Sequence, residues 1–445
     1  MHLLHYRQKR ELVAGHVVLG IDPGKKRHTA WMLDADGLPM GRAFSFSVDR
    51  HGFEEVLWRE VATRLAEYGP EQLVIAVETA CNLWKTIASY AHQQGYTVIL
   101  VSPLTTHHAR PLCDHDFSRT DPKDAFLVAD QARQGRFDLF QVFDAEIEAM
   151  HQLSLAYHKL AKDKQRQRQR LRAFMEQYFP EYLNAFDIES QTSLYLLERY
   201  FLPQHFQTLD VEAEARVIAP MSRQQHGVET LLWLQEWARE SIGVPAATQE
   251  ETLRLVVDSW LVQLRVLQAQ IKKLRKALIE RAARHPVFAI LTSIPNISQW
   301  LAALFIAECR GLDATTHYKQ IEKFAGLKLK VVNSGEFVGQ RRISYIGNKR
   351  LRKVIYQMTE QTAKAVPQVR CRFLRRQLNR TCYRKNIIAA SAPLLKLIHA
   401  LVAQQRGYRP HAKWNKQLME LEKAYTQKKT KQRTRRPPQT RRQAA

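Results

Sequence analysis

Four carboxylates stand where a fold could gather them: Asp22 in GIDPGKKRH, Glu78 in AVETAC, and Asp121 and Asp124 in RTDPKDAFLVADQ. The first two each end a short apolar run that reads as a strand. Sites at the carboxyl ends of strands are the common arrangement in open α/β sheets. The last two lie three apart at a helix start and share a face. Four carboxylates held together repel one another unless a cation neutralises them. Oxygen donors at that density suit Mg²⁺ or Mn²⁺. Two such ions about 4 Å apart stabilise both the attacking and the leaving oxygen of a phosphoryl transfer. Each acid also has a plainer reading. Asp121 before Pro122 fits an N-cap, with Pro at the first helical position and Asp124 at the third. Asp22-Pro23-Gly24 fits a turn. Glu78 is the most telling, because a charge ending a buried strand needs a partner. A rival cluster, His107, His108, Cys113 and His115 in HHARPLCDHD, could bind zinc. Its spacing matches no closed site, and a surface loop explains it as well.

The elements around these acids follow from hydrophobic period. HVVLGID, HTAWMLDADG and GRAFSFSVD read as three successive strands. Residues 51–68 carry helical spacing, LVIAVE reads as a buried strand, and Leu83 to Gln94 as a helix. TVILVSP is a further strand stopped by Pro103, and a helix spans 122–135. Three strands followed by strand–helix alternation resemble a ribonuclease H-like core. Beyond it, Met150, Leu153, Tyr157, Leu160, Lys164, Gln167, Leu171, Phe174 and Tyr178 follow a heptad with a polar centre. Leu253, Val257, Trp260, Leu264, Leu267, Ile271, Leu274 and Leu278 follow a cleaner one. Both predict long helices, paired either within one chain or as a dimer seam. The expected organisation is α/β plus α: an α/β domain at 14–140, long coiled-coil helices at 145–284, and a mainly helical domain at 285–404. A helical insert at 180–250 and a basic tail at 405–445 complete it. The tail is expected to be disordered and to touch phosphate.

The charge balance narrows the partner. The 445 residues carry a net charge of +25, with a pI near 9.9, and such a field points to a polyanion. No stretch reads as the roughly 20 apolar residues that a membrane span needs, and the N-terminus lacks a signal-peptide core. The five cysteines form no CxxC pair, which fits a reducing, cytoplasmic setting.

Several ordered motifs together resemble the transposases of the insertion sequence 110 family, with Piv-type invertases as relatives. They are GIDPGK with HTAWMLDADG, AVETACNLWKTIASYAHQQGYTVILVSP, RTDPKDA, LTSIPNISQWLAALFIAECRGLD, HYKQIEKFAGL, and NSGEFVGQRRISYIGNKRLRKVIYQM. The likeness covers roughly residues 16–175 and 285–365. It implies a RuvC-like first domain whose metal ligands are Asp22, Glu78, Asp121 and Asp124. It also implies a nucleophile at Ser334 in the second domain. Domains of different subunits then form one composite site in a dimer or tetramer. A noncoding bridge RNA would select donor and target DNA. On its own residues, Asn333-Ser334-Gly335 reads as a turn, since a serine needs a base, a metal or a lowered pKa to attack. Arg341, Arg342, Lys349, Arg350 and Arg352 would neutralise the attacked phosphate, or form a solvated basic face. Arg166, Arg168, Arg170 and Arg172 would contact RNA. Pro295-Asn296-Ile297-Ser298 lacks the glycine that the family's DNA-gripping hairpin usually carries there.

The expected function is therefore an RNA-guided transposase that cuts and rejoins DNA. Two alternatives use fewer of these residues. A metal-only junction resolvase or nuclease needs the acids and not Ser334. A nucleic-acid-binding repressor needs only the basic residues.

Overall fold

The computed structural model describes residues 3–434 apart from 66–67, 117, 247–248, 311–316, 331–332, 335–336, 339–341 and 380–381. The chain divides into two units, Met1–Val142 and Phe143–Ala445.

The first unit opens with α1 (Leu3–Val13), then β1 (Val17–Asp22), β2 (Arg27–Leu33) and β3 (Phe44–Ser47). A π turn leads into α2 (Leu57–Arg64), followed by β4 (Leu73–Glu78), α3 (Trp84–Gln93) and β5 (Thr97–Val101). Two helices, α4 (Pro103–Asp114) and α5 (Asp121–Arg133), precede the short β6 (Asp138–Leu139). The six strands form one sheet in the order β3-β2-β1-β4-β5-β6. β1, β2 and β3 are antiparallel in succession, whereas β1, β4 and β5 are parallel. The central strands are covered on both faces, which is why VVLGI and LVIAV read as unbroken apolar runs. Gly20 sets the distance between β1 and α5. A Cβ there would lie 2.3 Å from the Ala125 carbonyl oxygen and 2.6 Å from the Ala129 nitrogen. Only glycine lets α5 lie this close to the strand that ends at Asp22.

The segment after Pro103 differs from the expected loop. It is a helix, α4, started by the same proline that stops the strand. Ser102 accepts a hydrogen bond from the Leu104 N–H at 3.3 Å, and Pro103 occupies the first turn, where its missing N–H costs nothing.

In the second unit the two heptad segments are helices of 34 and 33 residues, α6 (Ala145–Tyr178) and, after the insert, α12 (Glu250–Ala282). They pack on each other within the chain: Leu171 and Phe174 share a core with Val257, Leu261 and Leu264. Gln167 meets Gln263 across the pair at 2.7 Å, which accounts for the polar centre of the first register. The insert folds as five short helices, α7 (Tyr182–Ala185), α8 (Gln191–Leu197), α9 (Pro203–Gln207), α10 (Val211–Met221) and α11 (Val228–Arg239). Its buried aromatics Tyr182, Phe201 and Phe206 join the same core, as does Phe179 at the end of α6.

The opposite ends of the long helices enter a second core, which holds Ile147 and Met150 with Leu278 and Ala282. Around it pack α13 (Pro286–Thr292), α14 (Gln299–Cys309), α15 (Tyr318–Phe324), α16 (Lys349–Thr362), α17 (Pro367–Leu378) and α18 (Tyr383–Ala403). Between α15 and α16 lie four two-residue strands, β7 (Leu329–Lys330), β8 (Asn333–Ser334), β9 (Phe337–Val338) and β10 (Arg342–Ile343). The turn from α13 to α14 keeps the shape a glycine would give. Asn296 adopts φ +65°, a left-handed conformation that asparagine tolerates better than most residues, and Ile297 N–H closes on Ile294 at 3.1 Å.

Two expectations need correction. α18 is, by length and apolar composition, long enough to cross a membrane, contrary to the sequence reading. Its apolar side is spent on the core through Ile387, Leu394, Leu395 and Ile398. The basic tail is not wholly without structure: residues 415–434 form a helix, α19 (Asn415–Thr434). Arg370 pairs with Glu422 at 2.5 Å, and Lys428 caps the end of α17 by donating to the Gln377 and Leu378 carbonyls at 2.9 and 2.7 Å. The last residues of the tail, 435–445, lie outside the described residues.

Candidate active site

Asp22 and Glu78 close the neighbouring parallel strands β1 and β4, whose register pairs Ile21 with Val77. The two carboxylates therefore leave the sheet side by side. Gly20 brings the first turn of α5 over the same edge, and that turn carries Asp121 and Asp124. Asp121 is exposed, whereas Asp124 and Glu78 are buried. The helix begins at Asp121 itself, after Thr120, and no side chain caps it. The capping role open to Asp121 from sequence is thus not the one it takes.

The electrostatics of Asp22 register the gathering. Its carboxyl is pushed up to about 7, first by burial and then by Glu78, Asp124 and Asp121, with Arg110 opposing. The other three acids all act on Asp22, as carboxylates near one another must.

Two partners come from α4. Arg110 grips Asp124 through two hydrogen bonds, Nε to Oδ1 at 2.7 Å and Nη2 to Oδ2 at 2.9 Å, and both residues are buried. Thr106, fully buried, donates its hydroxyl to Glu78. His107 lies against Arg110 at 3.3 Å. Neither Arg110 nor Thr106 was singled out from sequence. The signal available was Ser102-Pro103, a capped helix start directly after a strand.

A hard divalent cation suits this donor set: it is all oxygen, partly buried and short of positive charge. Among the described residues, however, no three His, Cys, Asp or Glu side chains stand close enough together to hold one. Arg110 supplies the positive charge that Asp124 would otherwise seek. The zinc reading of His107, His108, Cys113 and His115 has no such gathering either; the first three lie along α4 and His115 ends it.

The residues of the second unit divide differently. The backbone of Ser334 pairs with Phe337 in the β8–β9 ladder. Arg342 lies in β10, opposite Lys330, and Arg341 lies outside the described residues. Lys349 is exposed at the start of α16. Arg350 and Arg352, read from sequence as phosphate contacts or a solvated basic face, both have partners within the chain. Arg350 donates Nε to both oxygens of Glu308, at 2.9 and 3.1 Å, and Glu308 is fully buried. Ser154 and Asn348 also donate to Glu308, each at 2.7 Å. Burial pushes the Glu308 carboxyl up, but these donors outweigh it and hold the group below the usual carboxylate range. Arg352 donates to the Ala325 and Tyr345 carbonyls at 2.9 and 3.2 Å. On α6, Arg166 and Arg170 are exposed; Arg166 pairs with Asp163 at 2.9 Å, and Arg170 donates to Gln167 at 3.2 Å. Arg168 faces Asp187 at 3.9 Å, and Arg172 pairs with Glu176 at 2.8 Å.

Comparison with known proteins adds to this geometry. Residues 19–180 match a family model described as Transposase, the DEDD type of IS110. Residues 288–373 match a model described as Transposase IS116/IS110/IS902 family. The chain is 23% identical over 347 residues to the Insertion element IS110 uncharacterized 43.6 kDa protein of Streptomyces coelicolor, across 76% of this chain and 82% of the relative. It is 26% identical over 354 residues to the Insertion element IS116 uncharacterized 44.8 kDa protein of Streptomyces clavuligerus, across 78% and 85%. Among solved structures, T. thermophilus RuvC in complex with a Holliday junction substrate matches at 17% identity with a TM-score of 0.22, over 28% of this chain and 99% of that one.

Proposed function

From the two IS110-family transposase domains that the chain carries, we propose that it is the transposase of an insertion sequence, cutting and rejoining DNA with a carboxylate centre and a serine nucleophile. The observation that supports the proposal is that Asp22 and Glu78 close neighbouring parallel strands, beside the first turn of α5 that carries Asp121 and Asp124. Drawn closer together than they stand here, these four would hold Mg²⁺ or Mn²⁺, which when bound would supply Lewis-acid activation of the phosphodiester oxygens. Thr106 orients Glu78, and Arg110 fixes and neutralises Asp124. Ser334 is assigned the strand transfer. Its Oγ bonds to phosphorus, the bond from phosphorus to the leaving sugar oxygen breaks, the serine proton passes to a base and the leaving oxygen takes one up. Rejoining reverses these steps, with the new strand end as attacker. Guidance by a bridge RNA and a dimer or tetramer with composite sites follow from the family likeness and belong to the same proposal.

The test separates chemistry from binding. Asp121→Asn is expected to lower strand cleavage at least about a hundredfold while DNA affinity stays within about twofold, because it removes a metal-directed charge and not a phosphate contact. Cleavage assays and binding isotherms on one preparation decide it. Unchanged cleavage would return Asp121 to a structural role and move the reading toward a binding protein.

A further inference from the structure

Beside α16, far along the chain from the carboxylate acids, lies an open cleft of about 420 Å³ within the second unit. That volume falls in the range of small-ligand pockets. Its floor is apolar, made by Leu327, Ile343 and Ile355, all buried. Tyr356 lines it half-buried, and Tyr345 stands at its mouth with 63% of its surface exposed. Three exposed cations, Lys349, Lys353 and Arg384, line its edge.

Tyr345 does not reach this place cheaply. Its backbone is left-handed, with φ +58°, a conformation that an aromatic residue seldom adopts. The fold enforces it: Tyr345 N–H donates to the Gly326 carbonyl at 3.2 Å, and Arg352 holds the Tyr345 carbonyl at 3.2 Å. The Arg352 guanidinium also lies 5.2 Å from the ring centroid. An exposed aromatic ring is thus stiffened over an apolar floor with ammonium and guanidinium groups around it. The nearby Glu360 accepts a hydrogen bond from the Tyr383 hydroxyl at 3.1 Å.

An apolar slot with an aromatic wall takes a flat, weakly polar group, and the cationic edge takes an anion joined to it. We propose that this cleft binds one unpaired nucleobase of a single-stranded nucleic acid, stacked on Tyr345, with the adjoining phosphates on Lys349, Lys353 and Arg384. Duplex DNA presents phosphates but no free base face, so the cleft selects strands that have been opened. The inference rests on the nucleic-acid reading above and adds the strand state and the contact.

The test uses the full chain with short single-stranded DNA and RNA, each made intact, with abasic positions, and with 5-iodouracil for photocrosslinking. Stacking on one aromatic side chain is worth about a tenfold change in affinity. The intact strand should therefore bind about ten times more tightly than the abasic one. Tyr345→Phe should keep that ratio, and Tyr345→Ala should bring it close to one with the melting temperature unchanged. Lys349→Gln with Lys353→Gln should keep the ratio and flatten the salt dependence instead. Crosslinks should map to peptides bearing Tyr345 or Tyr356, and the stronger of the DNA and RNA arms identifies the strand. A ratio unmoved by Tyr345→Ala, or crosslinks confined to other peptides, would overturn the assignment. A protein that recombines DNA with no base preference would lose this inference alone. One that binds no strand in any arm would lose the nucleic-acid reading with it.

Discussion

Replacing Asp22 with Asn is expected to abolish strand transfer and, in metal-free protein at pH 8, to raise the melting temperature by about 3 °C or more. The two effects share one cause. The Asp22 carboxyl titrates near 7 in the folded chain, against an ordinary value of 3.8, because it is partly buried beside Glu78, Asp124 and Asp121. The folded state therefore holds the Asp22 proton more tightly than the unfolded chain does. Stability linked to this group is present below about pH 4 and is lost as pH rises toward about 7. At pH 8 the charged group carries its full penalty, and Asn removes it. At pH 4 the variant and the parent should melt together. Added Mg²⁺ or Mn²⁺ should stabilise the parent at pH 8, by about 2.7 kcal/mol at a hundred times the dissociation constant, and leave Asp22→Asn nearly unmoved. Differential scanning calorimetry with and without the ion reads every arm. A lower melting temperature for the variant at pH 8, with an undiminished metal response, would mean that Asp22 is a structural acid.

The second large effect falls on a residue that sequence assigns to phosphate. Arg350→Ala is expected to cost about 3–5 kcal/mol of stability, because it strands the buried charge of Glu308. Ser154 and Asn348 still donate to Glu308, so the lower end of that range is the better expectation. Glu308→Gln in the same chain should recover much of the loss, since a neutral amide no longer needs the guanidinium. A double-mutant cycle by urea denaturation measures the coupling. If Arg350→Ala kept its unfolding midpoint and instead lost DNA affinity together with part of the salt slope, the residue would be the phosphate contact after all.

These two residues also mark where sequence was informative. Asp22, Glu78, Asp121 and Asp124 could be picked out because each rests on local pattern: an acid closing an apolar strand, or a pair three apart at a helix start. Two-residue pairing and three-residue helical spacing need no knowledge of the fold. Arg110 needed it. It belongs to a helix that Pro111 and two histidines disguise as a loop, and its partner lies on the next helix. Arg350 sits in a basic run, GNKRLRK, that looks uniformly solvent-facing. One turn of helix separates the residues facing inward from those facing out, and the acid they meet is far away in LFIAEC. An acid within so apolar a run was the available clue that a cation elsewhere must answer it. The long helices were legible from their heptads, but whether they pair within a chain or between chains depends on the insert, whose short helices carry no strong period. The tail helix was hidden by its composition, and contacts with α17 override it.

The most direct test of the central claim is recombination by the intact protein in cells. The gene, with the DNA that flanks it, is placed on a plasmid and joined ends are sought by amplification across the expected junction. Parent, Asp22→Asn and Ser334→Ala run side by side, with protein levels matched. The account predicts junctions from the parent and from neither variant. Junctions that persist in Ser334→Ala would contradict the serine step and leave a metal-only nuclease. Junctions that persist in Asp22→Asn would contradict the carboxylate centre itself.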